Sequence, residues 1–265
     1  MKNTTLLSAL ISFLFFYSCA VVSLTGRRQL QLIPRSQMLE LSNQAYNEYV
    51  AEHQVITGTE EALMVQRVGT NIRSAVESYF QEQNNDDIIG DFQWEFTLFQ
   101  DTTINAWAMP RGKVGINSGI LPLAQDDAGL AVIIGHEIGH VVAEHGNERM
   151  SQLLLVELGG IALSEALSEQ PEITRQLALV AFGVGAQLGV LLPYSRLHET
   201  EADRLGLIFM AIAGYDPREA ISFWERMVEL RMAPEPPEFL STHPSDETRV
   251  ENIRQMIPEA MEYYQ

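Results

Sequence analysis

A second cysteine is missing from this chain: Cys19 stands alone among 265 residues. An internal disulfide is therefore excluded, and the fold must rest on its core. Basic charge is scarce as well, with 17 Lys and Arg against 35 Asp and Glu. Such a balance argues against nucleic acid and anionic membrane surfaces as partners, since both call for a positive face. There is also no clean apolar run of the about 20 residues that a spanning helix requires. Leu6–Tyr17 is too short, and the stretch 173–192 is interrupted by Gln187, weakened by Gly183, Gly185 and Gly189, and limited by Arg175. No internal repeat is present, so a solenoid is not indicated. What remains is an ordinary globular composition, 46% hydrophobic, long enough to bury a sizeable core.

The N-terminus reads as an export signal, with Lys2 as its basic start and Leu6–Tyr17 as its apolar stretch. Two endings fit. Phe16-Tyr17-Ser18-Cys19 resembles a lipobox, in which Cys19 becomes the lipidated first residue, whereas Ser18-Cys19-Ala20 suits ordinary cleavage after Ala20. The sole cysteine falls where a lipid would attach, which favours a lipoprotein signal over residues 1–19. Either way the mature chain lies outside the cytoplasm.

Residues 20–35 show no period and read as a tether. Helical spacing covers Ser36 to about His53, and Gly58-Thr59 caps a second amphipathic helix over Glu60–Gln81. Phe92, Trp94, Phe96 and Leu98 alternate with polar residues, as in a strand. Asn105–Met109, a Pro110-Arg111-Gly112 turn and Lys113–Asn117 add two further strands, giving a small antiparallel sheet. Asp126 or Asp127 caps the next helix, which Gly146 stops or bends. Met150–Leu167 and Ile173–Leu192 read as a helical pair packed on the core or capping its cleft. Tyr194–Ala213 forms a helix closed by Gly214, Asp216-Pro217 starts another, and a last one runs from about Ser245 to Tyr263.

The chemistry concentrates in His136-Glu137-Ile138-Gly139-His140. Residues four apart on a helix are neighbours on one face, so both imidazoles can point at one metal ion. Glu137 lies beside that face, within reach of a water on the metal. Zinc lowers the pKa of such a water to about 7, and a carboxylate can take its proton. The flanks, Leu130–Ile134 and Val141–Ala143, are apolar nearly all round, and buried His and Glu are costly unless paired or metal-bound.

A catalytic zinc keeps three protein ligands and one open position. His198, Glu199 and Glu201 are the candidates for the third. Glu199 has Asp203 four residues on, where that carboxylate can receive a hydrogen bond from the far nitrogen of a liganding histidine. Glu201 has Leu205 there and His198 has Ala202. Glu199 is therefore favoured, with Glu201 second. Glu201 and Arg204 otherwise read as a solvated face, His198 as a surface or rim residue, and His53 and His145 as non-ligands.

These motifs, with Asn105–Gly112 and His243-Pro244 followed by Arg249, resemble the M48 family of zinc metallopeptidases over roughly residues 36–256. The likeness is to its exported single-domain bacterial lipoproteins, and Arg111 departs from the family pattern by standing where a glycine is usual. The resemblance implies an α+β, mainly helical gluzincin domain over 36–265, holding one Zn2+ through His136, His140 and Glu199, with Glu137 as base and Asp203 orienting a ligand. It implies that Asn105, Ala106, Trp107 and Ala108 form an edge strand along the cleft, where an extended peptide adds by main-chain hydrogen bonds. It also places His243 over the cleft, as a fourth zinc ligand at rest or as a stabiliser of the transition-state oxyanion. Polypeptide substrates are implied, damaged or misassembled envelope proteins in a periplasm bounded by the outer membrane, with membrane contact through the lipid anchor only. Two rivals are a zinc-binding chaperone or adaptor lipoprotein with little proteolysis, and a membrane protease using 173–192 as a span.

Overall fold

The structure, a computed structural model, describes residues 19–22, 24–231, 237–243 and 248–265. Most of the expected signal peptide, and Pro244, lie outside the described residues. The chain divides into two compact units, one taking residues up to Met38 with Glu144–Tyr194, the other Leu39–Ala143 with Ser195–Gln265.

The first unit overturns the reading of residues 20–35 as a patternless tether. β1 (Cys19–Val21) and β2 (Arg28–Leu30) form an antiparallel hairpin in which Ala20 faces Gln29. Strands of three residues are too short to show a period, and their support comes from far along the chain. Arg27 pairs at 2.8 Å with the buried Glu148, and Ser151 Oγ accepts the Leu32 N–H.

In the second unit, α1 (Arg35–Glu52), most of which lies here, precedes β3 (Val55–Ile56) and α2 (Glu60–Glu82). Thr59 caps α2 by accepting the Ala62 N–H. β4 (Glu95–Phe99), β5 (Ala106–Met109) and β6 (Lys113–Asn117) complete a four-stranded sheet of order β3-β4-β6-β5. The sheet is mixed, which corrects the antiparallel expectation: β4 and β6 run parallel. After β4 the chain crosses to the far edge, makes β5 there and folds back, so β6 fills the central place beside β4. β4 also starts later than its alternating pattern suggests, because Gln93 and Glu95 N–H groups bond the carbonyls of Arg111 and Gly112 in the turn after β5. At that turn Arg111 takes φ +73°, the left-handed value a glycine adopts at ease. Its buried guanidinium is anchored 2.6 Å from Asp91 and lies over the Phe92 ring, so the arginine keeps the glycine's turn.

A one-turn helix, α3 (Leu121–Ala124), leads into α4 (Asp127–Val142), whose cap is Asp126 accepting the N–H groups of Ala128 and Gly129. Every residue of α4 from Gly129 to Val142 except His140 is buried. The cause is its surroundings: α2, β5 and β6 pack against it. At Glu144 the backbone turns left-handed, φ +56°, so the chain breaks before Gly146. α5 (His145–Ala166) and α6 (Glu172–Ala186) follow as a helical pair of the first unit, with the Phe182 ring against Gly159. No helix among the described residues is long and apolar enough to cross a membrane.

α7 (Leu192–Ile212) ends at Gly214, φ +84°, and α8 (Glu219–Arg231), α9 (Glu238–Thr242) and α10 (Arg249–Met261) close the unit. α4 crosses α7 at backbone contact. A Cβ on Gly135 would stand 2.9 Å from the Gly206 carbonyl oxygen, and one on Gly139 2.6 Å from that of Ala202. Neither neighbour can yield, since each is backbone. Gly139→Ala and Gly206→Ala are each expected to lower the free energy of urea unfolding by about 1–3 kcal/mol. Gly185→Ala, whose Cβ would meet nothing within 4 Å, should leave it level or raise it.

Candidate metal centre

The glycine crossing brings one turn of α4 against one turn of α7. From α4 come His136, Glu137 and His140, and from α7 Glu199 and Asp203. His243 follows α9, with its N–H bonded to the Phe239 carbonyl at 2.8 Å. His136, His140, Glu199 and His243 offer donor atoms that all lie within 4.8 Å of one another. Nε2 of His136 is 3.1 Å from Nε2 of His140 and 3.1 Å from Nδ1 of His243. Glu199 oxygens lie 3.3 Å from each of these three nitrogens.

Those distances test what the cluster suits. Ligand nitrogens and oxygens about 2.0–2.1 Å from a tetrahedral zinc are about 3.3–3.4 Å from each other. Buried charge points the same way. Glu137, Glu199 and Asp203 are three buried carboxylates, and Arg249 is one buried guanidinium. The remaining two negative charges match a divalent cation, and without one they must draw protons onto the imidazoles.

The titration behaviour of the metal-free site follows that logic. Burial opposes charge on His243, yet the Glu137 and Glu199 carboxylates beside it more than offset this and raise it to about 10. His136 is raised against burial by Asp203 and Glu199. His140, where burial prevails, is lowered to about 4. Glu137 is held low, against burial, by His243, His136 and His140, and Glu199 well below the carboxylate range by His140, His243 and Arg249.

Asp203 Oδ1 lies 2.8 Å from Nδ1 of His136, which turns the Nε2 lone pair toward the cluster. Arg249 then grips both carboxylates from behind. Its Nε and Nη2 donate to the two Asp203 oxygens at 2.9 and 2.7 Å, and its Nη1 donates to Glu199 at 3.0 Å. Asp203 is lowered, against burial, by that guanidinium and by His136. Glu137 Oε1 is buried and accepts no hydrogen bond among the described residues, although His243 Nε2 is 3.1 Å away.

Several expectations change. Glu201 and His198 are buried on the enclosed sides of α7, whose exposed face is formed by Arg196, Leu197 and Thr200; neither belongs to a solvated face or rim. Arg204 is half-exposed and pairs with Glu259 at 2.6 Å. His145 is buried in the first unit, and His53 stacks on Tyr49; neither joins the cluster. Along β5 the four expected residues divide. The Asn105 carbonyl accepts the Asn117 N–H, and antiparallel alternation then turns the polar groups of Ala106 and Ala108 to the open edge. Ala106 N–H is already taken by the Asn105 side chain, whose amide also donates to Glu238 at 3.2 Å. Trp107 packs on Tyr49 and Phe99.

Arg249 enters the sequence pattern only as a marker, and its clamp was not foreseen. One signal was available, since a cation at a helix N-terminus opposes the helix dipole and calls for a partner. Trp224, on which Arg249 stacks, carries no signal beyond its bulk on an amphipathic helix.

The chain matches the family described as Peptidase family M48 over residues 69–257. It is 36% identical over 174 residues to the mitochondrial metalloendopeptidase OMA1 of Schizosaccharomyces pombe, covering 65% of this chain and 49% of that protein. Against the mitochondrial metalloendopeptidase OMA1 of Bos taurus the identity is 32% over 256 residues, 93% of this chain and 47% of the other. The β-barrel assembly-enhancing protease of Escherichia coli is 30% identical over 169 residues, 61% of this chain and 34% of that one. The chain thus spans about half the length, or less, of these curated relatives.

A raised imidazole pKa sets a sign for stability. Protonated His243 stabilises the metal-free fold fully below its ordinary 6.5, and that contribution is lost as pH climbs through about 10. The melting temperature of chelator-treated protein should fall between pH 6.5 and 10, and His243→Gln should flatten the decline.

Proposed function

The chain belongs to peptidase family M48, and from that premise we propose that it is a zinc-dependent endopeptidase with His136, His140 and Glu199 as ligands and Glu137 as general base. One observation carries the reading: four donors at tetrahedral spacing surround a buried charge deficit that a divalent cation neutralises. When bound there, zinc supplies an acidified water and a Lewis acid for the scissile carbonyl.

The rest is the work of this chain's side chains. Glu137, kept ionised by the imidazoles around it, takes the proton of the attacking water on Oε1 and passes it to the departing amine. Asp203 holds His136 in the tautomer whose Nε2 is free to ligate, and Arg249 holds Asp203 and Glu199 in register. An extended substrate adds to the open edge of β5 through Ala106 C=O and the N–H and C=O of Ala108. β5 packs against α4, the helix that carries Glu137.

His243 is the fourth ligand of a resting state. Its Nδ1 would supply the fourth donor to the metal, and its Nε2 lies 3.1 Å from Glu137 Oε1, beside the oxygen that must receive the proton of the water. The export leader and the lone Cys19 support an envelope location with a lipid anchor, and substrates there are misfolded or misassembled envelope polypeptides whose segments can lie extended.

Three outcomes test the reading. Glu137→Gln should keep one zinc per chain and lose casein cleavage by at least about 100-fold; unchanged cleavage would remove the base from the scheme. His243→Ala should keep its zinc and cleave faster than the parent, and a parental rate and pH profile would discard the resting-state role. Ala108→Pro should raise KM for peptides by about tenfold, the worth of one main-chain hydrogen bond, without zinc loss.

A further inference from the structure

Behind Arg249 the packing changes from ionic to aromatic. The guanidinium carbon lies 3.4 Å from the centre of the Trp224 ring on α8, a stacking distance. Both residues are almost fully buried, Trp224 at 1% and Arg249 at 5% exposure. Three of the guanidinium's five N–H donors already go to Asp203 and Glu199, and its two flat faces are left for packing. Trp224 takes one of those faces. It also meets Phe239 at 6.0 Å between ring centres, and Phe239 stacks on His243 at 4.5 Å. A continuous column therefore runs from the clamp on Glu199 and Asp203 to the ring that closes the cluster.

We infer that Trp224 is a positioning residue of the metal centre, acting through Arg249 to hold Glu199 and Asp203 in ligating orientation before the metal arrives. The physical need is specific. A lone buried guanidinium can rotate about its side-chain bonds and draw either carboxylate out of line, and it can also recruit water. An indole face against it fixes the plane of the fork and excludes that water at little cost, since the π-face is itself attractive to the cation. An aliphatic side chain of similar volume fills the space and supplies neither. Preorganisation of this kind appears in metal affinity, because the carboxylates need no reordering on binding.

This inference rests on the zinc reading, so the test measures zinc directly and separates the two. Zinc affinity is determined by competition with a chromophoric chelator for the full chain and for Trp224→Leu, Arg249→Lys and the double variant, with the melting temperature of each metal-free form recorded. Trp224→Leu is expected to weaken zinc binding by about 10- to 100-fold, the usual worth of a residue supporting a metal ligand. In the Arg249→Lys background the same change should weaken it no further, because the route through the guanidinium is already gone. Parental affinity in Trp224→Leu, or an equal loss in both backgrounds, overturns the inference while leaving the zinc site intact. Should Trp224→Leu not fold, Trp224→Phe replaces it: a few-fold loss present with Arg249 and absent with lysine supports the role, and equal affinities reject it. Absence of stoichiometric zinc in the parent rejects the metal reading and this inference together.

Discussion

The contact on which this molecule's chemistry depends is a crossing of two helices at bare backbone. α4 and α7 meet at Gly135, Gly139, Ala202 and Gly206, close enough that an added methyl would strike a carbonyl oxygen. Because the helices touch there, the histidines of one and the carboxylates of the other, only about one turn from the contact, are brought to ligand distance. A larger residue at any of these glycines would force the two backbones apart. Donor atoms now 3.1–3.3 Å apart would then no longer share an ion.

That proximity creates a second constraint. Three carboxylates and three imidazoles are crowded together, all but His140 buried, and one guanidinium among them is permanently positive. Such a cluster cannot exist as drawn without protons or a cation to complete its charge. In the metal-free form proton affinity rises at His243 and His136, the imidazoles with carboxylates on their flanks, and falls at His140. A dication takes over that role and releases those protons, which is why metal affinity and acidity are linked at this site. Arg249 serves both forms, holding Glu199 and Asp203 apart from each other's repulsion and in the same plane.

Legibility in the sequence followed the range of the interactions. His136 and His140 are one turn apart on one helix, and Glu199 was preferred to Glu201 because Asp203 stands one turn beyond it; both inferences need only helical spacing. Caps at Thr59 and Asp126 were equally local. What escaped was set by long-range packing. The hairpin at Cys19–Leu30 is supported by Glu148 and Ser151, more than a hundred residues away, and leaves no period in six strand residues. Parallel pairing of β4 with β6 depends on where the chain crosses the sheet, which alternation does not record. His198 and Glu201 looked solvated because charged residues on a helix usually are, whereas both lie on enclosed sides of α7 and Arg196, Leu197 and Thr200 take its exposed face. Arg111 looked like a break in the turn, but an arginine tolerates the glycine's φ once Asp91 and Phe92 secure its side chain.

The closing segment and the substrate edge share a support, and this gives access to the site a physical shape. α9, which precedes His243, is fastened to the approach of β5 at two points: Phe239 N–H bonds the Ile104 carbonyl, and Glu238 accepts from the Asn105 amide. Asn105 in turn caps the Ala106 N–H at the open edge. A peptide strand that adds along Ala106 and Ala108 arrives beside this fastening and competes with it for the same few ångströms. Under the peptidase reading, Asn105 is thus the side chain that touches both the edge offered to an extended chain and the helix that precedes His243.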